Sequence, residues 1–233
     1  MSDRPYDQLR DVKLEIPYTT STPGSVLISM GRTRVLCTAS VQSEVPRWMR
    51  DTGKGWITAE YAMLPGSSGE RIRRDHVSGG RAKEISRLIG RSLRVVVDLK
   101  AMGEAMAVVD CDVIEADGGT RTAAITGGWI ALHYAFEDAV ERGQLASTPI
   151  IDEVAAVSVG IVDGKALLDL DYAKDVEAEV DMNVVMSGRG LLIEVQGTAE
   201  RAPFTRAELD QLLDLAASGI AELHDLQRRA VAE

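Results

Sequence analysis

Hydrophobic and polar positions alternate over "GSVLISMGRTRVLCTASV" (24–41), and the alternation breaks only at Gly31-Arg32-Thr33. Period-two patterning on both sides of a short polar turn predicts two paired strands. The signature recurs over 154–172, "VAAVSVGIVDGKALLDLDY", where Asp163-Gly164 is a strong type I′ turn pair. A third hairpin is predicted over 181–197, "DMNVVMSGRGLLIEVQG". In three other places the period lengthens to that of a helix. "KEISRLIGRSLRVVVDL" sets Ile85, Leu88, Ile89 and Leu93 on one face and Arg87, Arg91 and Arg94 on another. From Thr122 to Arg142, Ile125, Trp129, Leu132, Phe136 and Val140 recur at helical spacing. Further on, Thr205-x-x-Glu208 is a capping box at the head of a long amphipathic run.

Hairpins followed by helices, twice over, predict an α+β protein of two similar hairpin-plus-helix halves packed as one unit, because the pairing is mainly antiparallel. The Ser147-Thr148-Pro149 turn is too short to separate independent domains, so a single domain over 1–233 is expected. Composition agrees: 233 residues, 45% hydrophobic and 27% charged, are a globular balance able to bury a sizeable core. No stretch approaches a membrane span, and the opening "MSDRPYDQLRDV" lacks the apolar core of a secretory leader. Cys37 and Cys111 sit inside strand-like runs, "RVLCTASV" and "VVDCDVIEA", and read as two buried thiols. A cytoplasmic protein with no membrane partner is the expectation.

A net charge of −10 argues at first against a polyanionic partner. Its distribution reverses that impression. Residues 47–100 carry 12 Lys/Arg against 6 Asp/Glu, whereas the rest of the chain has 14 against 30. Such segregation suits a basic face on an acidic body, which binds a polyanion at one place; solvated helix faces are the plain alternative.

Three stretches carry candidate chemistry. In "EADGGTRTAAITGGW", Gly118-Gly119-Thr120-Arg121 stands directly before a helical run. A Gly-Gly turn lets backbone N–H groups converge, and the helix start adds unpaired donors. Thr120 adds a hydroxyl, and Arg121 adds a planar fork that matches phosphate oxygens. An N-cap turn whose arginine pairs with Asp117 or a neighbour is the alternative. The second stretch, "LDLDYAKDVEAEVDMNVV" (168–185), offers Asp175 in a loop and Asp181 where a strand begins. Two carboxylates converging across a loop can share one Mg²⁺, which takes oxygen ligands together with substrate phosphate; a merely soluble acidic turn is the competing reading. The third, "RIRRDHVSGGRAKEISRL" (71–88), sets Arg71, Arg73 and Arg74 before Gly79-Gly80 and then Arg81 at a helix entrance. A cation there opposes the helix dipole, which a bound phosphate would explain, as would an accidental surface arginine.

The blocks "GSVLISMGRTRVLCTASV", "GWITAEYAMLP", "GGRAKEISRLIGRSLR", "DCDVIEADGGTRTAAITG", "AAVSVGIVDG", "VDMNVVM" and "EVQGTAE" resemble the ribonuclease PH family of phosphate-dependent exoribonucleases that trim tRNA 3′ ends. The resemblance runs from Gln8 into the C-terminal helix. It implies a ribosomal-S5-domain-2-like α+β fold and a homo-oligomer, a hexameric ring built as a trimer of dimers. It implies inorganic phosphate as co-substrate, held by Arg121, Thr120, the Gly119 backbone and Arg81. By the same resemblance Asp175 and Asp181 are the catalytic aspartates, holding Mg²⁺ (or Mn²⁺) or helping proton transfer. Arg71 and Arg74 fall near the arginines of the loop that grips tRNA, so tRNA precursors and other RNA 3′ ends are the expected partners. Three departures stand out. "DRPYDQLRDV" replaces the family's Arg-x-Asp-Gly-Arg opening, the 66–78 loop is shorter with Gly66 in place of its first arginine, and "RAKEI" replaces "RTxEI".

Two other classes compete. A non-catalytic RNA-binding ring subunit of an exosome-like assembly would have no need of both aspartates together with the Gly-Thr-Arg site. A metabolite kinase on the same fold would want a longer glycine-rich loop and would leave the basic 47–100 segment unexplained.

Overall fold

The computed structural model describes residues 4–73 and 79–232. Its first half is a five-stranded sheet in the order β1-β2-β3-β5-β4. These strands are β1 (Val12–Glu15), β2 (Gly24–Met30), β3 (Thr33–Gln42), β4 (Trp56–Met63) and β5 (Met106–Glu115). All pairs are antiparallel except β4 and β5, which run parallel and are joined through α1 (Gly80–Val95). The second half is an antiparallel sheet in the order β7-β6-β8-β9. It comprises β6 (Val154–Val162), β7 (Lys165–Leu168), β8 (Val180–Ser187) and β9 (Leu192–Ala199). A six-residue helix, α3 (Tyr172–Glu177), links β7 to β8, and α4 (Arg206–Val231) covers β6 and β7.

The three predicted hairpins form as β2–β3, β6–β7 and β8–β9. Asp163 and Gly164 both take the positive φ that a type I′ turn requires (50° and 68°). On α1 the expected apolar face of Ile85, Leu88, Ile89 and Leu93 is buried. The capping box at Thr205 and Glu208 closes in both directions at the start of α4. Cys37 and Cys111 are buried free thiols, directly opposite each other on β3 and β5.

The helix that organises the molecule is α2 (Thr120–Glu141). It packs against β2, β3 and β5 of one sheet and β6 of the other, and also touches α4. Because both sheets press on it, residues all around its girth are buried, among them Ile125, Trp129, Leu132 and Phe136. One continuous apolar core therefore runs through both halves. The consequence for function is geometric: the first turn of α2 emerges at the seam between the sheets. Among the described residues no helix is long and apolar enough to cross a membrane.

Candidate active site

The glycine loop before α2 is built on left-handed backbone: φ is 76° at Gly118 and 67° at Gly119, the N-cap. Only glycine takes up two such positions in succession without steric cost. Space imposes glycine as well. A Cβ on Gly118 would stand 2.5 Å from the Leu170 carbonyl oxygen and 2.9 Å from the Tyr172 nitrogen. The loop that ends the first sheet thus lies directly on the chain entering α3 in the second half.

Around this seam Arg81, Thr120 and Arg121 of the first half meet Asp175 and Asp181 of the second. Thr120 Oγ1 lies 2.7 Å from the hydroxyl of Tyr61, which is buried on β4. Arg121, in the first turn of α2, donates from Nη1 to Gln196 Oε1 on β9 at 2.8 Å, and Glu84 on α1 approaches it to 3.7 Å. Its partners among the described residues are therefore Gln196 and Glu84, not Asp117. Arg81 is exposed in the first turn of α1. Asp175 lies on α3, not in a loop as the sequence suggested. Asp171 caps that short helix by accepting from the Lys174 N–H at 2.9 Å, which local spacing of acidic residues did not disclose. Asp181 is the second residue of β8, paired across the sheet with Thr198.

Two adjoining cavities of about 550 and 480 Å³ share Arg81, Arg121, Asp175, Asp181 and Asn183 in their walls. The first continues past Gln196, Thr198 and Glu200, and the second past Gly118, Gly119 and Thr120. Arg71 is exposed in the loop after β4 and lines neither cavity, while Arg74 lies outside the described residues.

Comparison with known proteins fits this geometry. Two models of the 3′ exoribonuclease family match, domain 1 over residues 8–136 and domain 2 over residues 152–219. Ribonuclease PH of Methylorubrum populi is 55% identical over 234 residues, covering 99% of this chain and 99% of that protein. Ribonuclease PH of Corynebacterium efficiens is 54% identical over 231 residues, covering 98% and 94%. The chain belongs to the ribonuclease PH family. Solved structures share the fold at greater distance. Rice (Oryza sativa) Rrp46 superposes with a TM-score of 0.78 at 18% identity, with 97% of each chain covered. An Archaeoglobus fulgidus exosome with RNA bound to the active site gives 0.82 at 20% identity, covering 95% of this chain and 90% of that one.

In this ribonuclease PH family member the cleft is electrostatically mixed. Burial, and then the neighbouring Asp175, push Asp181 up to about 6, against the pull of Arg121 and Arg81. Asp175 is also raised by burial, with the same two guanidinium groups working against the shift. Two half-buried carboxylates that repel each other form a place where a cation relieves the strain. Among the described residues no group of three or more His, Cys, Asp or Glu is arranged to hold a metal ion. Asp175 and Asp181 still fit Mg²⁺, which commonly takes one or two carboxylates and completes its shell with substrate phosphate and water.

Sequence reasoning assigned no role to Tyr61, Asn183 or Gln196. For Asn183 a signal existed: it stands two residues after Asp181 on one strand, hence on the same face. Gln196 pairs with Asn183 across β8–β9, as Thr198 does with Asp181, so all four side chains point to one side.

Proposed function

We propose that this cleft carries out phosphorolysis at RNA 3′ ends, those of tRNA precursors foremost, releasing one nucleoside diphosphate per turn. The observation that carries the reading is the meeting of Arg81, Thr120 and Arg121 from the first half with Asp175 and Asp181 from the second around one cleft. Inorganic phosphate rests on the Gly119 backbone, the Thr120 hydroxyl and the Arg121 fork, with Arg81 reaching it from α1. One of its oxygens forms a bond to the last phosphorus of the RNA, in line with the bond that breaks. The departing 3′ oxygen of the penultimate nucleotide takes a proton, and the chain is one nucleotide shorter. Guanidinium groups fixed where charge accumulates stabilise the transition state more than the ground state. Asp175 and Asp181 would hold Mg²⁺, or Mn²⁺, whose chemistry here is to neutralise charge on the transferring phosphoryl group. A diphosphate replaces a phosphodiester, so the reaction runs backwards when diphosphates are abundant.

Arg71 and Arg74, in the basic 47–100 segment, grip the body of the RNA at a distance from the reacting bond. The working form is a hexameric ring, a trimer of dimers, acting in the cytoplasm. The test is to incubate the protein with a 3′-tailed RNA with and without inorganic phosphate. Nucleoside diphosphates formed only with phosphate are the expected result. Monophosphates released without phosphate would mean hydrolysis and overturn the reading.

A further inference from the structure

Behind the glycine loop lies a buried ion pair that the mechanism above does not use. Arg10, in the segment before β1, is 9% exposed, and Asp169, just after β7, is fully buried. Asp169 Oδ2 accepts from the Arg10 backbone N–H and from Nε, each at 2.9 Å, and Oδ1 accepts from Nη2 at 2.7 Å. The guanidinium then reaches on to the loop, donating from Nη1 to the Asp117 carbonyl (2.5 Å) and from Nη2 to the Gly118 carbonyl (3.4 Å). Thr33 donates to the same Gly118 carbonyl at 2.6 Å, and Thr122 to the Gly119 carbonyl at 2.8 Å. Three consecutive carbonyls are thus held from within. A trans peptide sets each N–H opposite the preceding C=O. The N–H groups of Gly118, Gly119 and Thr120 accordingly point away from those donors, on three residues that line the second cavity.

The pair is equally tied to the second half. Asp169 takes left-handed backbone (φ 56°), its N–H donates to the Ser158 carbonyl at 2.7 Å, and its own carbonyl accepts from Arg4 Nη2 at 2.8 Å. Ser158 Oγ holds the Leu170 N–H at 3.0 Å, and one residue further Asp171 caps the helix that carries Asp175.

We infer that the Arg10–Asp169 pair is a positioning element for the phosphate: it turns the 118–120 N–H groups toward the cleft and fixes that loop relative to Asp175. The inference rests on the reading that Gly119, Thr120 and Arg121 hold inorganic phosphate. Neither residue touches the reactants. Arg10 supplies a planar fork that serves a carboxylate and two carbonyls at once, which an ammonium cannot do.

Two variants of the full chain test it. Arg10→Lys keeps the charge and loses the fork. Arg10→Met combined with Asp169→Asn removes both charges, so that neither is left buried alone, and keeps at 169 a residue that tolerates left-handed backbone. Phosphorolysis of a short unstructured RNA is measured with phosphate and RNA varied separately, and inorganic phosphate is titrated into RNA-free protein by calorimetry. Misplacing the loop should raise the KM for phosphate about 10–100-fold in both variants, leave the KM for RNA within about twofold, and weaken the phosphate titration in step. Lower kcat with both KM values unchanged would make the pair a strut for folding only and overturn the proposal. An equal rise in both KM values would overturn it too. Failure of the underlying reading has its own mark, because Arg121→Lys would then leave both the KM for phosphate and the phosphate titration unchanged.

Discussion

Replacing Gly118 by alanine drives a methyl group into the seam between the two halves. The new Cβ would meet the Leu170 oxygen at 2.5 Å, the Asp171 carbonyl carbon at 2.8 Å and the Tyr172 nitrogen at 2.9 Å, all of them backbone atoms. No rotamer change relieves such contacts, so one of the two chain segments has to move. The cost has two parts. Left-handed backbone (φ 76°) costs an L-residue about 1–2 kcal/mol, and overpacking adds about 1–3 kcal/mol. Gly164 separates the two parts. It has nearly the same φ, 68°, but its Cβ would find nothing within 4 Å. Urea unfolding followed by circular dichroism, at fixed protomer concentration, should therefore show a loss of about 1–2 kcal/mol for Gly164→Ala and about 2–5 kcal/mol for Gly118→Ala. The rates should diverge further. Gly164 is at the β6–β7 turn and that variant should release nucleoside diphosphates at the wild-type rate. In Gly118→Ala the glycine loop and α3 are pushed apart, and a misplacement of about 1 Å is worth about 100-fold in rate. Equal stability losses for the two variants, or wild-type turnover in Gly118→Ala, would refute the close seam as the feature that sets the active-site geometry.

Arg121→Lys should cost about 2–4 kcal/mol of transition-state stabilisation, or about 30–1,000-fold in kcat/KM, because an ammonium cannot replace the two parallel bonds of the fork. Near-normal activity at saturating phosphate would make Arg121 a structural residue. Asp181 has its folded pKa raised from 3.8 to about 6, so native protein prefers it protonated and loses stability as pH climbs through that window. In metal-free buffer with a chelator, Asp181→Asn should match wild type near pH 4 and exceed it by about 2 kcal/mol above pH 7, after discounting for partial solvent access; a gap that does not change with pH would be the contrary result. Replacing Arg71 and Arg74 together by alanine should flatten the salt dependence of tRNA binding by about two units of slope and raise the KM for tRNA precursors while sparing a short oligonucleotide. Equal losses on both substrates would place these arginines at the reacting bond.

What the sequence discloses and what it hides divides along physical lines. The hairpins are legible because each strand alternates around a turn whose residues can take positive φ, as Asp163 and Gly164 do. β1 and β4 escape notice, the first because it is a four-residue edge strand. In β4 the inward row is Ile57, Ala59 and Tyr61 with Glu60 between, too short and mixed in polarity to announce itself. α3 is invisible because none of its six residues is buried, so no apolar period marks it. Arg81, Thr120, Arg121, Asp175 and Asp181 are legible as candidates, by residue type and by family motif. Their supports are not. Tyr61 meets Thr120 across 59 residues, Gln196 meets Arg121 across 75, and Arg10 meets Asp169 across 159. Local spacing carries no signal of partners brought together by tertiary packing.

The two arginines also show why a broken local rule marks this site. Arg81 and Arg121 each occupy the second position of a helix, where the dipole opposes a cation by about 0.3–1 kcal/mol. In α4 the usual preference holds, with Glu208 in its first turn and Arg228 and Arg229 in its last. The cost at α2 is offset inside the cleft, where Gln196 and Glu84 take hold of Arg121 and leave its side chain only 17% exposed. A neutral amide can keep holding Nη1 when an anion arrives, whereas Glu84 at 3.7 Å is a loose partner that a phosphate can outcompete. If Arg121 holds phosphate as proposed, the fork is ordered before that ligand enters, and the entropy of fixing a long side chain is not charged against binding. Gln196→Ala would leave the charge and the dipole conflict in place and remove only that ordering. Its expected mark is a phosphate affinity lowered about 3–10-fold, the equivalent of one immobilised side chain, with RNA affinity unchanged; unchanged phosphate affinity in a calorimetric titration would mean that Arg121 needs no such support.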